Sequence, residues 1–431
     1  MSPNAGARGD WEARFEPVVC VTLTARLATA TKAFCNCAVA DDAAPNANTC
    51  PVCLGLPGTL PAVNAAAVQR AVDGALALGA AVQLVTGFAR EHEPPDPRRP
   101  KGFTLTQRTT PLAAGGHVQI GETPEGAPIQ AAVRRVYLTE DVGRADHARF
   151  AGVSALDFNL AGVPLLVVEG SPDLRAAAEV RAYVACTAAL LRESGATSAR
   201  PGDAGLTVVA HVAIRGRGDL RAGPACVLRG MSALDAVERA VAAECARQSA
   251  AVEGGGAVEP ADLLWDATSA VSVPVRTPTA PTWSLVDPDL PPLVLTSEWV
   301  ADRRDALPEL PPARRARLAQ TFGLSGASLD AASVDPDLAA YYETLARLHG
   351  DGPAAWRWLA EQALPFATRE GLSPREIAVR ARPADAARVL DLRRAGRLSD
   401  DAAAQVLRTM LRTGLEPERA AERVGVILPG R

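Results

Sequence analysis

Aromatic residues make up only 4% of the 431-residue chain, a scarcity that accompanies abundant alanine and arginine and reads as GC-rich codon usage rather than a functional device. No stretch reaches membrane-spanning length without Arg, Asp or Glu, and the polar segment 1–16 has no apolar core of a secretion signal. A cytoplasmic protein with no membrane partner is therefore expected. A basic excess is lacking too: 45 Lys and Arg stand against 49 Asp and Glu, a net charge of −4. Nucleic acid cannot be gripped by a general positive field, so any nucleic-acid contact must use local patches or a partner's surface. The runs Gly115-Gly116 and Gly254-Gly255-Gly256 are not followed by Lys-Ser/Thr, which excludes a Walker-type phosphate cradle and leaves turns. The length allows two or three domains and a substantial core.

Cysteine is what the chain does concentrate. Cys35 and Cys37 are followed, after twelve residues, by Cys50 and Cys53. Two close pairs at this separation suit one tetrahedral ion, and an all-thiolate shell leaves no position for water or substrate, so the expected site is structural zinc. The competing arrangements are four reduced thiols packed as small apolar groups, or disulfides. Cysteines with one or two residues between them rarely meet disulfide geometry, and the spacing favours the metal. Cys20, Cys186, Cys226 and Cys245 stand singly and are read as small buried hydrophobes.

The hydrophobic pattern changes near residue 300. Before it, period-2 segments at 18–27, 134–138, 165–168 and 206–214 predict strands, interrupted by helical spacings at 64–81, 173–194 and 232–252, with Ser232 a candidate cap for the last. After it the spacing predicts helices throughout: 311–322, 335–349, 352–363, 373–381, 384–395 and 399–412, separated by Gly- or Pro-bearing turns. The fold class is thus α+β: a large mixed catalytic-type core over 1–300 with a zinc hairpin at 35–53, then an all-helical domain over 301–431.

The run Cys35 to Asn64, CNCAVADDAAPNANTCPVCLGLPGTLPAVN, resembles the B subunit of the bacterial glutamyl/aspartyl-tRNA amidotransferase, GatCAB, whose zinc hairpin carries a Pro-Asn-x-Asn-Thr-Cys-Pro-Val-Cys-Leu-Gly-Leu-Pro-Gly signature. Matching segments follow in the family's order: Pro100-Lys101-Gly102-Phe103 with Gln107, Glu140-Asp141-Val142-Gly143-Arg144, Leu156-Asp157-Phe158-Asn159 into Ala161-Gly162-Val163-Pro164, and Pro288-Asp289-Leu290-Pro291-Pro292-Leu293. The resemblance runs from about residue 15 to 428. It implies a ligase subunit that uses ATP and Mg²⁺ to phosphorylate the side-chain carboxylate of misacylated Glu-tRNA or Asp-tRNA. Ammonia from glutamine, made by a separate amidase (A) subunit that works with a small C-type subunit, then displaces the phosphate. Lys101, Gln107 and Asn159 become candidate substrate-binding residues. The helix and Ile/Val segment at 415–426 resemble those that lead into the family's tRNA-binding tail domain, which does not follow here, so weaker tRNA affinity is expected.

Most of the charges implied by the resemblance are replaced. The family's Gly-Leu-Glu-Val-His-Val-Gln-Leu aligns with residues 20–27, placing Thr22 and Thr24 where the Glu and His would share one face of a strand. In the second segment Thr139 replaces an acid while Glu140 and Asp141 remain; further on, Leu160 replaces an Arg and Val167 a Glu. Thr207, Val209 and His211 stand for Arg, Asp and Asn, and Cys226-Val227-Leu228-Arg229 for Glu-Ile-Lys-Asn. Aromatic segments change as well, to 94–99 and to Thr282-Trp283-Ser284-Leu285. Mg²⁺ needs hard oxygen ligands, mainly carboxylates, and a hydroxyl neither offsets its charge nor serves as a base near neutral pH.

The expected function is accordingly a GatB-like subunit of a tRNA-dependent amidotransferase whose catalytic activity is lost or diverted; the alternative is a non-catalytic protein that binds aminoacyl-tRNA or scaffolds a partner, as in specialised metabolism. His211 reads as a hydrogen-bonded histidine, since no Ser, Cys or Asp partner can be assigned to it. His92 and His147 read as loop residues, and the stretch 215–219 as a charged hairpin.

Overall fold

The computed structural model describes residues 10–123, 127–150, 153–275 and 282–428; the first nine residues of the polar N-terminal segment lie outside the described residues. Two compact units are present, Met1–Pro308 and Glu309–Arg431.

The first unit is organised by one long sheet. Its strands are β1 (Phe15–Arg26), β2 (Ala89–His92), β3 (Thr104–Thr106), β4 (Pro128–Glu140), β5 (Pro164–Gly170), β6 (Leu206–Gly216), β7 (Cys226–Met231), β8 (Asp262–Asp266), β9 (Val271–Pro274) and β10 (Trp283–Val286). Their order is β9-β8-β7-β6-β1-β5-β4-β3-β2-β10, antiparallel except for the β7/β8 pair. Residues on β1 alternate strictly: Val19, Val21, Leu23 and Ala25 are fully buried while Cys20, Thr22, Thr24 and Arg26 are half-exposed. The period of two therefore builds a covered face and an open one.

Three helices fill the unit's core: α1 (Ala65–Ala77), α2 (Ala177–Glu193) and α3 (Leu234–Glu253). Their buried residues, among them Val72, Val180, Tyr183, Val184, Leu191, Val237 and Val241, recur at intervals of three and four and supply the apolar cover that the strand pattern demands. Asn64 caps α1, accepting from the amides of Ala66 and Ala67 at 2.9 and 3.4 Å. At α3 the expected cap does not form. Ala233 occupies the N-cap with no side-chain bond, one residue past Ser232.

Other expectations are also corrected. His92 ends β2, where its ring stacks on Trp283 at 3.8 Å, and His147 lies in the strand Arg144–Phe150, bonded to Ser154 Oγ at 2.6 Å. Cross-strand pairing, invisible to local polarity, put both in the sheet framework. Cys20 and Cys186 are half-exposed, whereas Cys226 and Cys245 are buried as expected.

One buried acid shows how the core tolerates charge. Asp73, 1% exposed inside α1, is gripped from the helix α4 (Ser297–Asp305) by Arg303, Nε at 2.9 Å and Nη2 at 2.8 Å.

The second unit is helical: α5 (Pro311–Phe322), α6 (Gly326–Ser333), α7 (Pro336–His349), α8 (Gly352–Trp358), α9 (Leu364–Glu370), α10 (Pro374–Arg380), α11 (Pro383–Arg394), α12 (Asp400–Thr413) and α13 (Pro417–Arg423). Asp335, Asp351, Ser373 and Ser399 cap α7, α8, α10 and α12. The expected stop after residue 363 is absent, because a π turn at Leu359–Ala363 joins α8 to α9. Pro365 has no N–H for the α-helical ladder, and the widened turn carries the chain past it without a break. Leu345, Tyr342, Trp356, Leu359, Val389, Val406 and Leu407 form this unit's core.

Arg303→Met leaves the Asp73 carboxylate buried without its partner and should destabilise the protein by about 3–5 kcal/mol in chemical denaturation. Asp73→Asn in the same background should recover most of the loss.

A candidate metal centre beside the open face of the sheet

Cys35 and Cys37 follow β1 in a tight reversal held by Lys32 N to Cys37 O at 3.0 Å and Val39 N to Ala30 O at 3.0 Å. Cys50 is the N-cap of the helical turn Pro51–Leu54 and Cys53 lies within it; the turn ends at Gly55 in the left-handed region. The four Sγ atoms lie within 4.8 Å of one another. Metal–sulfur bonds of about 2.3 Å place tetrahedral sulfurs roughly 3.8 Å apart, so the four can close on one ion by small side-chain rotations. The thiol of Cys35 bonds to Cys53 and is the main influence holding the Cys53 pKa down, to about 4, against the opposing effect of burial. Cys35 is raised in return, and burial pushes Cys37 up to about 11.

The hairpin is tied to the segment after β4 by reciprocal amide bonds. Asn46 Nδ2 donates to Leu156 O at 2.9 Å and its Oδ1 accepts from Phe158 N at 2.8 Å, while its own N–H donates to Asp157 Oδ1 at 3.0 Å. Asn159 accepts from Asn48 N at 2.9 Å and donates to Ala44 O at 2.8 Å. Asn46 holds φ of 62°, a conformation asparagine tolerates better than most residues, and these bonds offset its cost. The Pro-Asn-x-Asn and Leu-Asp-Phe-Asn motifs are thus two halves of one latch.

Between hairpin and sheet lies a cavity of about 210 Å³ whose walls include Phe34, Phe103, Arg90, Lys101 and Glu140. Lys101 Nζ donates to both oxygens of Glu140, at 2.5 Å to Oε2, and Leu105 N donates to Oε1 at 2.8 Å. Glu140 is 4% exposed, so its charge is already committed. Arg90 is likewise held by Asp287 at 2.7 Å and Asp289 at 2.6 Å. Gly55 abuts this pair: a Cβ there would lie 2.6 Å from Lys101 Cγ. Of the other expected binding residues, Gln107 is fully buried, bonding Leu138 N and Thr86 Oγ1, and Asn159 serves the latch.

The open face carries Thr22, Thr24, Val167 and Val209 side by side. Thr22 pairs with Val209 on β6 and Glu169 on β5, and Thr24 with Thr207 and Val167. Tyr137 on β4 pairs with Val167, and Thr139 with Leu165. Thr22, Thr24, Val167, Thr207 and Val209 thus form a neutral strip bordered by Glu169. His211 faces Cys20, and burial, then the Arg229 charge, lowers its pKa. Burial pushes the Asp141 carboxyl up, opposed chiefly by the Val142 amide and then by Arg26.

Two groups were missed in the sequence. Glu169 stands two residues beyond Val167, hence on the same face, where Arg135 grips both its oxygens at 2.5 and 3.0 Å and Tyr137 donates at 3.0 Å. Strand periodicity was the signal for it. Lys32, fully buried beside Cys53, was the other, and its signal is compositional: of 45 Lys and Arg residues only Lys32 and Lys101 are lysine, the first against a cysteine sulfur and the second lining the cavity.

The sequence profile of the GatB/GatE catalytic domain matches residues 17–301. The chain is 34% identical over 417 residues to the B subunit of the aspartyl/glutamyl-tRNA(Asn/Gln) amidotransferase of Moorella thermoacetica, covering 96% of this chain and 87% of that protein. The corresponding proteins of Anaeromyxobacter sp. strain K and Carboxydothermus hydrogenoformans are 34% and 31% identical, each over 96% of this chain and 86% of theirs. Among the described residues no helix is long and apolar enough to cross a membrane.

Asn159→Ala removes both arms of its half of the latch and should cost about 1–3 kcal/mol. Thermal unfolding, with limited proteolysis at residues 40–50 as the local readout, should show the hairpin loosening first.

Proposed function

Because this chain belongs to the GatB/GatE catalytic-domain family, we propose that it is the B-type component of a tRNA-dependent amidotransferase assembly in which phosphoryl transfer has been given up. Its partners on this reading are an amidase subunit, a small C-type subunit and an aminoacyl-tRNA. The four cysteines hold structural zinc, for which a closed thiolate set is well suited. One observation carries the loss of chemistry: the neutral strip Thr22, Thr24, Val167 and Val209 on the open face.

The residues of that face do not fit Mg²⁺. Hydroxyl and aliphatic groups give the ion no compensating charge, Glu140 is spent on Lys101, and Glu169 on Arg135 and Tyr137. Asp141 is disfavoured as an anion by burial. We therefore assign no phosphoryl-transfer step to this chain. What the residues support is binding: the cavity, with Phe34 and Phe103 as walls and two internally paired cations, is a preformed polar pocket in a unit whose scaffold is intact. Concerted replacement of the charges explains how that scaffold stays stable, since removing them singly would leave buried partners unpaired at about 1–3 kcal/mol each.

Given Glu-tRNA or Asp-tRNA, ATP, Mg²⁺ and ammonia, the chain should form amidated product at least about 10²-fold more slowly than an unsubstituted family member, by single-turnover assay with labelled aminoacyl-tRNA. Comparable turnover refutes the proposal. Restoring the charged groups by T22E, T24H, V167E and V209D together should produce Mg²⁺ binding by calorimetry that the parent lacks.

Elemental analysis of the purified protein should find about one zinc per chain, and Cys50→Ser should lower the melting temperature sharply. A metal-free protein as stable as its Cys50→Ser variant contradicts the zinc assignment.

A further inference from the structure

Lys32 is fully buried, yet among the described residues it is paired with no carboxylate. Its Nζ meets Cys53 Sγ at 3.6 Å and Phe158 O at 3.3 Å. The stem is enclosed as well: Gly162 lies beside it, where an added Cβ would make only ordinary contacts, 3.5 Å from Lys32 Cδ and 3.5 Å from Cys53 Cβ. An ammonium withdrawn from water costs several kcal/mol unless an opposite charge compensates it. The compensating charge here is sulfur. Four thiolates around a divalent ion carry a net charge of −2, which is itself costly in a partly buried setting, and a lysine ammonium against one of them halves that excess.

Building on the zinc reading above, we infer that Lys32 is the buried counter-charge of the tetrathiolate centre, a positioning residue that sets how tightly the metal is held. The rarity of lysine agrees with this. In a chain whose Lys and Arg residues are all arginine except Lys32 and Lys101, this position takes lysine. A guanidinium has five donors in a planar fork, while this position offers one sulfur and one carbonyl as acceptors. Lysine delivers a compact charge through a narrow stem. Its second bond, to Phe158 O, also fastens the metal hairpin to the segment that carries the Asn159 latch, so charge compensation and placement come from one side chain.

The test uses the full chain loaded with zinc and the variants Lys32→Met and Lys32→Arg. Competition with a chromophoric chelator should show Lys32→Met binding zinc about 10- to 100-fold more weakly than the parent, the range typical of lost outer-shell partners, and Lys32→Arg should not restore it. With Co²⁺ in place of zinc, the thiolate-to-metal charge-transfer band should shift in Lys32→Met. Melting temperatures with zinc and with excess chelator separate the mechanisms: a counter-charge lowers the zinc-loaded value alone, whereas a packing residue lowers both equally and overturns the inference. Affinity within about threefold of the parent also overturns it. If Lys32→Met is too unstable to purify, Lys32→Gln, which also removes the charge, takes its place in the affinity and melting comparisons with the same expected and overturning results. A parent that binds no zinc rejects the zinc reading itself, while a parent and variant that bind alike reject this inference only.

Discussion

Holding four sulfurs within 4.8 Å of one another is the constraint on which the candidate site depends. Two pairs of cysteines far apart in the hairpin must be brought to one point and kept there by the surrounding backbone. The left-handed Asn46, the reciprocal bonds to Leu156, Phe158 and Asn159, and the buried Lys32 all answer that requirement. The same arrangement governs the cavity. Gly55, which ends the second cysteine turn, packs on Lys101, and Gly162 lies near Cys53, Lys32 and Glu140 at once. A displacement of the hairpin would therefore be felt directly by the Lys101–Glu140 pair.

The two faces of the sheet differ in what they contribute to the fold. The covered face, with Val19, Val21, Leu23, Val168, Leu206 and Val212 nearly or fully buried, supplies the hydrophobic stabilisation. The open face adds to it chiefly through Val167 and Tyr137, which are also buried. Thr and Val at these positions are compatible with the backbone pairing, since register depends on the inward residues and on the ladder bonds. The acids that remain near the strip are neutralised locally, Glu140 by Lys101 and Glu169 by Arg135 with Tyr137. Such closed pairs suit a binding surface better than a centre that must recruit a cation.

Periodicity made much of the framework legible. The alternation in β1, the three-and-four spacing of α1 and α2, and the capped helices after residue 311 are local signals, each the direct result of one face needing burial. The cysteine spacing and the asparagine-rich motif marked the hairpin for the same reason: short-range geometry is written in short-range sequence. The errors have a common cause. Ser232 was a plausible cap one residue too early, His92 and His147 were polar residues drawn into strand pairs, and Pro365 was absorbed by a π turn. In each, a distant partner or a neighbouring turn outweighed local preference.

By itself the sequence determined the class of protein, the cysteine set, the alternation that separates a covered from an open face, and the neutral residues at Thr22, Thr24, Val167 and Val209. Only the tertiary structure decided what those residues meet. That Glu140 is consumed by Lys101 across 39 positions, that Glu169 is clamped rather than free, and that Lys32 lies against a cysteine sulfur rather than a carboxylate are consequences of strand register and loop packing. Charge has no periodicity: whether an ionisable side chain is a ligand, a partner or a counter-ion depends on distances of a few ångströms between segments far apart in the chain, because Coulomb energy and desolvation are set by neighbours in space.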